Sequence, residues 1–220
     1  MQKTLRVLVA IAVLFTGGSC LPRHVGRPPT PTLWEEANAA RKVTSLSAAG
    51  IGYGTAWLVD KDDVYAWWMT AGHVCEPDTL YTLKGVSDQS SIVLRVVVDS
   101  DAPGPDVCIM QTLTVPETPL RIATNVDYGE PVHYVGSPLA TLRAGNAPLF
   151  RGTATGMDVD GNLLVSIPGY PGASGSAITN ERGEVVGLLY AVTGLWPEMA
   201  FAVGHENLRA LAAKYLPSYQ

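Results

Sequence analysis

Three side chains able to do nucleophilic chemistry together stand in the chain order His73, Asp106, Ser174. Ser174 is at the centre of Gly169-Tyr170-Pro171-Gly172-Ala173-Ser174-Gly175-Ser176-Ala177-Ile178, a Gly- and Pro-rich turn that runs into an apolar strand. Glycines on both sides let the backbone bend sharply and leave the hydroxyl uncovered. Such a turn can also aim successive backbone N–H groups at one point, as an oxyanion forming on an attacked carbonyl requires. The same composition suits an ordinary hairpin turn. A serine is a weak nucleophile without a base beside it, so the rest of the chain has to supply one.

Thr70-Ala71-Gly72-His73-Val74-Cys75 ends a strand in small residues, from which an imidazole can project into a groove. The chain has four histidines: His24 falls in a Pro-rich stretch, His133 lies among Val132 and Val135 along a strand, and His205 precedes the last helix. Taken singly, each is as well explained by a structural role. Asp106 sits in Pro103-Gly104-Pro105-Asp106-Val107-Cys108-Ile109, a tight loop entering an apolar strand. A carboxylate there is desolvated and needs a hydrogen-bond partner to stay charged. The imidazole N–H of His73 would serve, fixing the tautomer and stabilising an imidazolium. Asp106 also fits as a turn residue after Pro105, and Asp99 and Asp101 are alternatives that no apolar strand follows directly.

The elements that must position these groups are strands. At 220 residues, 47% hydrophobic and 16% charged, the chain can bury a substantial core and is not of disordered composition. Its formal charge of -5 and scattered basic residues give no reason to expect nucleic acid as a partner. The 22 glycines and 16 prolines punctuate short runs of Val, Ile, Leu, Thr and Tyr, an all-β signature. Strands are expected at 43–48, 54–59, 64–70, 79–84, 92–99, 107–112, 131–135, 150–155, 163–167, 176–179, 185–191 and 199–203, forming a sandwich or barrel. A short helix is expected over 34–42. A better one covers 207–215, with Leu208, Leu211, Ala212 and Tyr215 on one face and Pro217 ending it. The glycines at 50, 52 and 54 do not form a dinucleotide loop, because a strand and not a helix follows them.

The N-terminus reads as a signal peptide over 1–19: Lys3 and Arg6 are followed by an apolar run, residues 7–15, and by small polar residues. That run is too short to span a bilayer, which takes about 20 residues. Cys20 resembles the lipid-modified cysteine of bacterial lipoproteins, although Gly17 stands where that family prefers a Leu-like residue. Gly17 and Ser19 equally satisfy ordinary signal peptidase, and on either reading the product is exported. Residues 21–32, with Pro22, Pro28, Pro29 and Pro31, read as an extended tether. The expected organisation is therefore a leader over 1–19, tether and short helix over 20–42, and a folded domain over 43–220.

With His73, Asp106 and Ser174 in that order, the sequence resembles the chymotrypsin-fold (trypsin-like) serine peptidases, in particular the compact bacterial type similar to the HtrA catalytic domain and the glutamyl endopeptidases. The matching motifs are Gly54-Thr55-Ala56-Trp57-Leu58-Val59, Thr70-Ala71-Gly72-His73, Asp106-Val107-Cys108-Ile109, Gly129-Glu130-Pro131-Val132-His133-Tyr134-Val135-Gly136-Ser137-Pro138, Pro171-Gly172-Ala173-Ser174-Gly175-Ser176-Ala177 and Gly183-Glu184-Val185-Val186-Gly187-Leu188. The resemblance implies two packed six-stranded antiparallel β-barrels with a C-terminal helix. It implies a serine endopeptidase that hydrolyses peptide bonds through an acyl-enzyme. Ser174 would be the nucleophile, with its Oγ within hydrogen-bond reach of His73, His73 the general base and then acid, and Asp106 the orienting carboxylate. The amides of Gly172 and Ser174 would form the oxyanion hole. Ser176 stands where the family usually has glycine. No metal or organic cofactor is implied, and three Cys and four His lack the paired spacing of a zinc site.

Cys75 and Cys108 each lie two residues past a triad member, so a meeting of His73 with Asp106 brings the sulfurs together. Export permits their oxidation, and a Cys75–Cys108 disulfide is expected, leaving Cys20 for lipid. Two buried free thiols are the other reading. The partners expected are protein or peptide substrates, met by a monomer whose sole link to a membrane is a lipid on Cys20. The side-chain pocket should be lined by 168–171 and by Ala200-Phe201-Ala202-Val203. Neither stretch carries an acid to receive Lys or Arg. A small or apolar preference is expected, with His205 the residue that would instead favour acidic side chains. A non-catalytic barrel that binds a partner, or a structural surface lipoprotein, are the rival readings.

Overall fold

Period-two alternation of apolar and polar residues builds fourteen strands between one short and one longer helix among the described residues. The computed structural model describes residues 30–220 apart from 49, 77, 99–103, 193 and 195–197. The leader, Cys20, His24, most of the tether, Asp99 and Asp101 lie outside the described residues. Helix α1 (Leu33–Ala39) starts at a capping box: Glu35 N–H donates to Thr32 Oγ1, and the Glu35 carboxylate accepts from the Thr32 amide at 2.7 Å. It passes without a loop into β1 (Ala40–Ser47), because residues from Ala40 onward pair with the next strand. The helix is therefore shorter than expected at its C-terminal end.

Strands β2 (Gly50–Lys61), β3 (Tyr65–Thr70), β4 (Leu80–Lys84), β5 (Ser90–Ile92), β6 (Arg95–Val98) and β7 (Cys108–Leu113) complete the first sheet, in the order β5-β4-β1-β2-β3-β7-β6. The single strand expected over 92–99 is divided between β5 and β6. The division has a geometric cause, since Val93 N–H turns to Tyr81 O of β4 while Leu94 N–H turns to Gln111 O of β7. One bent run of chain thus forms both edges of the sheet.

The second sheet comprises β8 (Arg121–Ile122), β9 (Pro131–Val135), β10 (Leu149–Met157), β11 (Asn162–Ser166), β12 (Ala177–Asn180), β13 (Glu184–Val192) and β14 (Met199–Gly204). Six of these close a ring, β9-β10-β11-β14-β13-β12, because β12 pairs with both β13 and β9. The two-residue β8, too short to be read in the sequence, adds parallel to β13. The architecture is chymotrypsin-like. The expectation of two six-stranded antiparallel barrels is met by the second ring, whereas the first sheet is seven-stranded as hydrogen-bonded.

Trp57, Trp68, Met69, Ile109 and Met110 are fully or almost fully buried in the first core, and Tyr134, Leu163, Val165 and Ile167 in the second. The first core continues through Leu188 and Val203 to Leu208, Ala212 and Leu216 of α2 (His205–Tyr215) and the residue after it. The helix therefore bonds the barrels by packing.

Candidate active site

β3 ends at Thr70, and Gly72–Val74 forms a single 3₁₀ turn that carries His73 out of the sheet. β7 begins at Cys108, the register partner of Thr70. The loop ahead of Cys108 therefore meets the turn after Thr70, and Asp106 meets His73. The His73 amide donates to Asp106 Oδ1 at 2.8 Å, and His73 Nδ1 lies 2.7 Å from Oδ2. Both Asp106 oxygens are thus held by one residue, with the imidazole side chain 50% exposed. Burial pushes the Asp106 carboxyl pKa up, but the hydrogen bonds and charge of His73, with the Gly72 amide, outweigh it and hold the group below the ordinary aspartate value. Tyr190 of β13 lines a cleft of about 440 Å³ beside Asp106, with Asp160, Asn162 and Asn207. Its phenol is held above its ordinary pKa by burial and then by the negative charge of Asp158, Asp106 and Asp160.

Cys75 and Cys108 are joined in a disulfide with a Cα–Cα distance of 6.4 Å, and both are buried. The bridge spans 33 residues, the same separation as His73 to Asp106. It clamps the two loops two residues beyond the groups they carry.

The turn bearing Ser174 is fixed from beneath by Thr55, a fully buried residue of β2. Thr55 N–H donates to Ser174 O at 2.8 Å, and its hydroxyl donates to Gly172 O at 2.8 Å while accepting from the Ser137 amide at 2.9 Å. Its carbonyl accepts from Thr70 Oγ1 at 2.7 Å, close to the His73 turn. One residue thereby spans the first barrel, the Ser174 turn and the Ser137 loop. Sequence reasoning missed it. The available signal was a threonine at the point where a strand becomes wholly apolar, between Gly54 and Ala56.

Gly172 adopts φ +91° with its Cβ position 2.6 Å from Ser137 O, so only glycine fits there. Gly175 has φ +87°, and a Cβ on it would collide with Thr55 O and Thr70 Oγ1. The Ala173, Gly175 and Ser176 amides donate to Tyr170 O, Leu189 O and Ala173 O. Among the described residues the amides of Gly172 and Ser174 have no such acceptor. Ser176 donates its hydroxyl to Ala173 O at 2.7 Å and fills the space over Gly136, so the departure from glycine is absorbed inside the turn. Leu139 and Ala140 hold φ of 51° and 60°, a strained conformation for side-chain-bearing residues, where Leu139 N–H meets Pro171 O at 2.7 Å.

The contact expected between Ser174 Oγ and His73 is not made as a hydrogen bond among the described residues. Catalytic hydrogen bonds commonly tighten only when substrate is bound. Tyr134 OH, its pKa raised by burial and then by Tyr170, donates to Pro168 O at 2.8 Å. Tyr134 stacks on Phe150, which meets the tilted ring of Tyr170 in the segment before the turn. A Cβ on Gly169 would collide with Val192 Cγ1 and lie 4.0 Å from Ala200 Cβ. His205 is buried at the start of α2. His133 is taken up by Glu36 at 2.6 Å. No group of three or more His, Cys, Asp or Glu that could hold a metal occurs among the described residues.

The sequence matches the family model of the trypsin-like peptidase domain over residues 54–188, more than half of the chain. Among solved structures it is similar to the Rv3671c protease from M. tuberculosis in its active form, with 20% identity, a TM-score of 0.71 and 85% of each chain covered. It is similar to the serine endoprotease from Yersinia pestis, with 20% identity, a TM-score of 0.68, and 84% of this chain and 65% of that one covered. The HtrA-type protease AlgW with tripeptide matches at 14% identity and a TM-score of 0.68, over 83% of this chain and 63% of that one. The chain thus spans less than two thirds of the last two. No curated protein matches the sequence.

Proposed function

The chain belongs to the trypsin-like peptidase family, and from that membership we propose that it is a serine endopeptidase working through an acyl-enzyme on Ser174. The observation that supports the reading is an imidazole held by Asp106 beside a strand end that Thr55 ties to the glycine-flanked Ser174 turn. Asp106 accepts from both the amide and the ring of His73. Held in this way, His73 presents Nε2 as the acceptor for the Ser174 proton. Attack of Ser174 Oγ on a peptide carbonyl transfers that proton to His73 and develops an oxyanion, which the Gly172 and Ser174 amides, without a backbone acceptor among the described residues, stabilise. Collapse of this intermediate expels the amine, protonated by His73. Water, deprotonated by the same imidazole, then releases the acid and restores Ser174.

The collision that any side chain on Gly169 would make with Val192 supports a shallow pocket and a preference for small apolar side chains. The Cys75–Cys108 disulfide supports an oxidising compartment, in keeping with removal of residues 1–19 and export, with or without lipid on Cys20. The protein acts as a monomer on protein or peptide substrates in this reading. The deciding experiment is labelling with a fluorophosphonate. The folded mature chain takes up one label per molecule, and Ser174→Ala and His73→Ala each abolish it. A folded wild-type chain that stays unlabelled leaves the rival reading, a barrel that only binds.

A further inference from the structure

The outward face of β1, β2, β4 and β5 is apolar where a solvated sheet face is ordinarily polar. Leu46 is the register partner of both Ile51 and Leu80, and partners in an antiparallel ladder point to the same side. Two residues along, Thr44 is partnered by Tyr53 and Thr82, and Thr82 by Ile92. Leu94 extends the first row, since Val93 N–H already bonds to Tyr81 O. The large side chains of these two rows are open to solvent: Leu80 72%, Ile92 69%, Ile51 62%, Leu46 54%, Leu94 52% and Tyr53 49%. The opposite side of the same strands is closed, with Val43 and Leu83 fully buried and Tyr81 at 3%. The alternation is intact, so the face is outward by register and not by a slip. Lys42 and Lys84 stand at one border, the first over the Tyr53 ring and the second bonded to Asp88.

An exposed apolar surface of this extent marks an interaction site, and its continuity with the serine turn identifies the occupant. Tyr53 lies two residues before Thr55, whose amide holds Ser174 O, and the Cβ position of the intervening Gly54 is 3.4 Å from that carbonyl. At about 3.4 Å per strand residue, Tyr53 is about 7 Å and Ile51 about 14 Å along β2 from Thr55. A peptide extended for about six residues beyond the bond at Ser174 reaches both. We propose that this face is a docking surface outside the cleft that takes up a flank of the polypeptide substrate rich in aliphatic and aromatic residues, several positions away from the bond at Ser174. The inference rests on the reading of Ser174 as nucleophile.

The test uses Ser174→Ala in the full mature chain and fluorescent peptides. Each peptide bears about six Leu, Val and Tyr residues, or Ser, Asn and Gly residues, on one or the other side of the cleavage position. Anisotropy is expected to give a Kd about tenfold lower for the apolar flank on one side. Leu80→Lys and, separately, Ile51→Lys are expected to bring the ratio of apolar to polar Kd close to one, with circular dichroism and Tm unchanged. Should one variant fold poorly, the other and Leu46→Asn read the same ratio. A ratio near one in the parent, or one that neither variant alters, overturns the proposal. So does a concentration-dependent dimer in sedimentation that Leu80→Lys dissolves while the peptide ratio holds, which assigns the face to a second copy. Binding to phosphatidylcholine–phosphatidylglycerol vesicles that the variant abolishes while the ratio holds overturns it likewise. Fluorophosphonate labelling of the wild type reports separately on Ser174. A chain that keeps the ratio and does not label loses the peptidase reading and retains the docking face.

Discussion

At the scale of single residues, two groups outside Ser174 control whether the site is assembled. Thr55 ties the Ser174 and Gly172 carbonyls to the first barrel, and its hydroxyl alone reaches Gly172 O and the Ser137 amide. Thr55→Val keeps the shape and removes the hydroxyl, leaving the buried Ser137 N–H and Gly172 O unpaired. The Gly172 and Ser174 amides then lose their alignment, and kcat should fall about 10- to 100-fold with KM little changed. Thr55→Ser should restore most of the rate, a recovery that general loss of stability would not follow. Steady-state kinetics on one peptide substrate checks both. Asp106 carries a pH signature. Its folded pKa is depressed, so the stability it contributes is complete above the unfolded value of about 3.9 and is lost as pH falls through the folded value. Tm measured from pH ~5 down to pH ~2 should fall less steeply in Asp106→Asn than in the wild type. The same variant should lose about 10³- to 10⁴-fold in kcat at neutral pH, because the amide no longer fixes the productive tautomer of His73.

At the scale of elements, the site depends on two loops that follow β3 and precede β7, and the Cys75–Cys108 bridge closes 33 residues between them. In the chain-entropy description a loop of that size is worth about 3–4 kcal/mol. Cys75→Ala with Cys108→Ala should lower the urea-derived unfolding free energy by roughly that amount. It should also slow fluorophosphonate labelling, since His73 and Asp106 lose their common clamp. The His73–Asp106 contact and this pairing were legible because both follow from residue types at strand ends, and the tight turn at Ser174 was legible from its glycines, which the sequence records directly. Strand positions were legible for the same reason, β9 to both of its limits. What could not be read depends on tertiary pairing. The passage of α1 into β1 at Ala40 is dictated by partners in β2. The division of 92–99 follows from two different neighbouring strands competing for consecutive amides. Thr55 is an unremarkable strand residue until the Ser174 turn lies across it.

At the scale of the whole molecule, the cleft between the barrels is held by crossed termini. The C-terminal segment returns to the first barrel, where the Ser218 amide donates to Asp60 Oδ2 at 2.9 Å. At the other end, α1 precedes the first barrel yet buries Glu36 against the second. There one carboxylate oxygen meets His133 Nε2 at 2.6 Å and accepts from Thr179 Oγ1 at 3.0 Å. His133 and Thr179 are register partners on β9 and β12, the pair of strands that closes the ring. Glu36 therefore secures the closing seam of one barrel from the helix that begins the other. Removing it leaves the largely covered His133 imidazole without its acceptor and the Thr179 hydroxyl with only its longer bond to His133 O, at a cost of about 2–4 kcal/mol. Glu36→Gln keeps the volume and an acceptor oxygen, so it should cost less than Glu36→Ala. If the seam also couples the barrels, hydrogen exchange in Glu36→Ala should rise in β9 and β12 and in the Ser174 turn that enters β12. It should leave the β1–β2 ladder protected. Exchange confined to α1 would reduce Glu36 to a local anchor of its own helix.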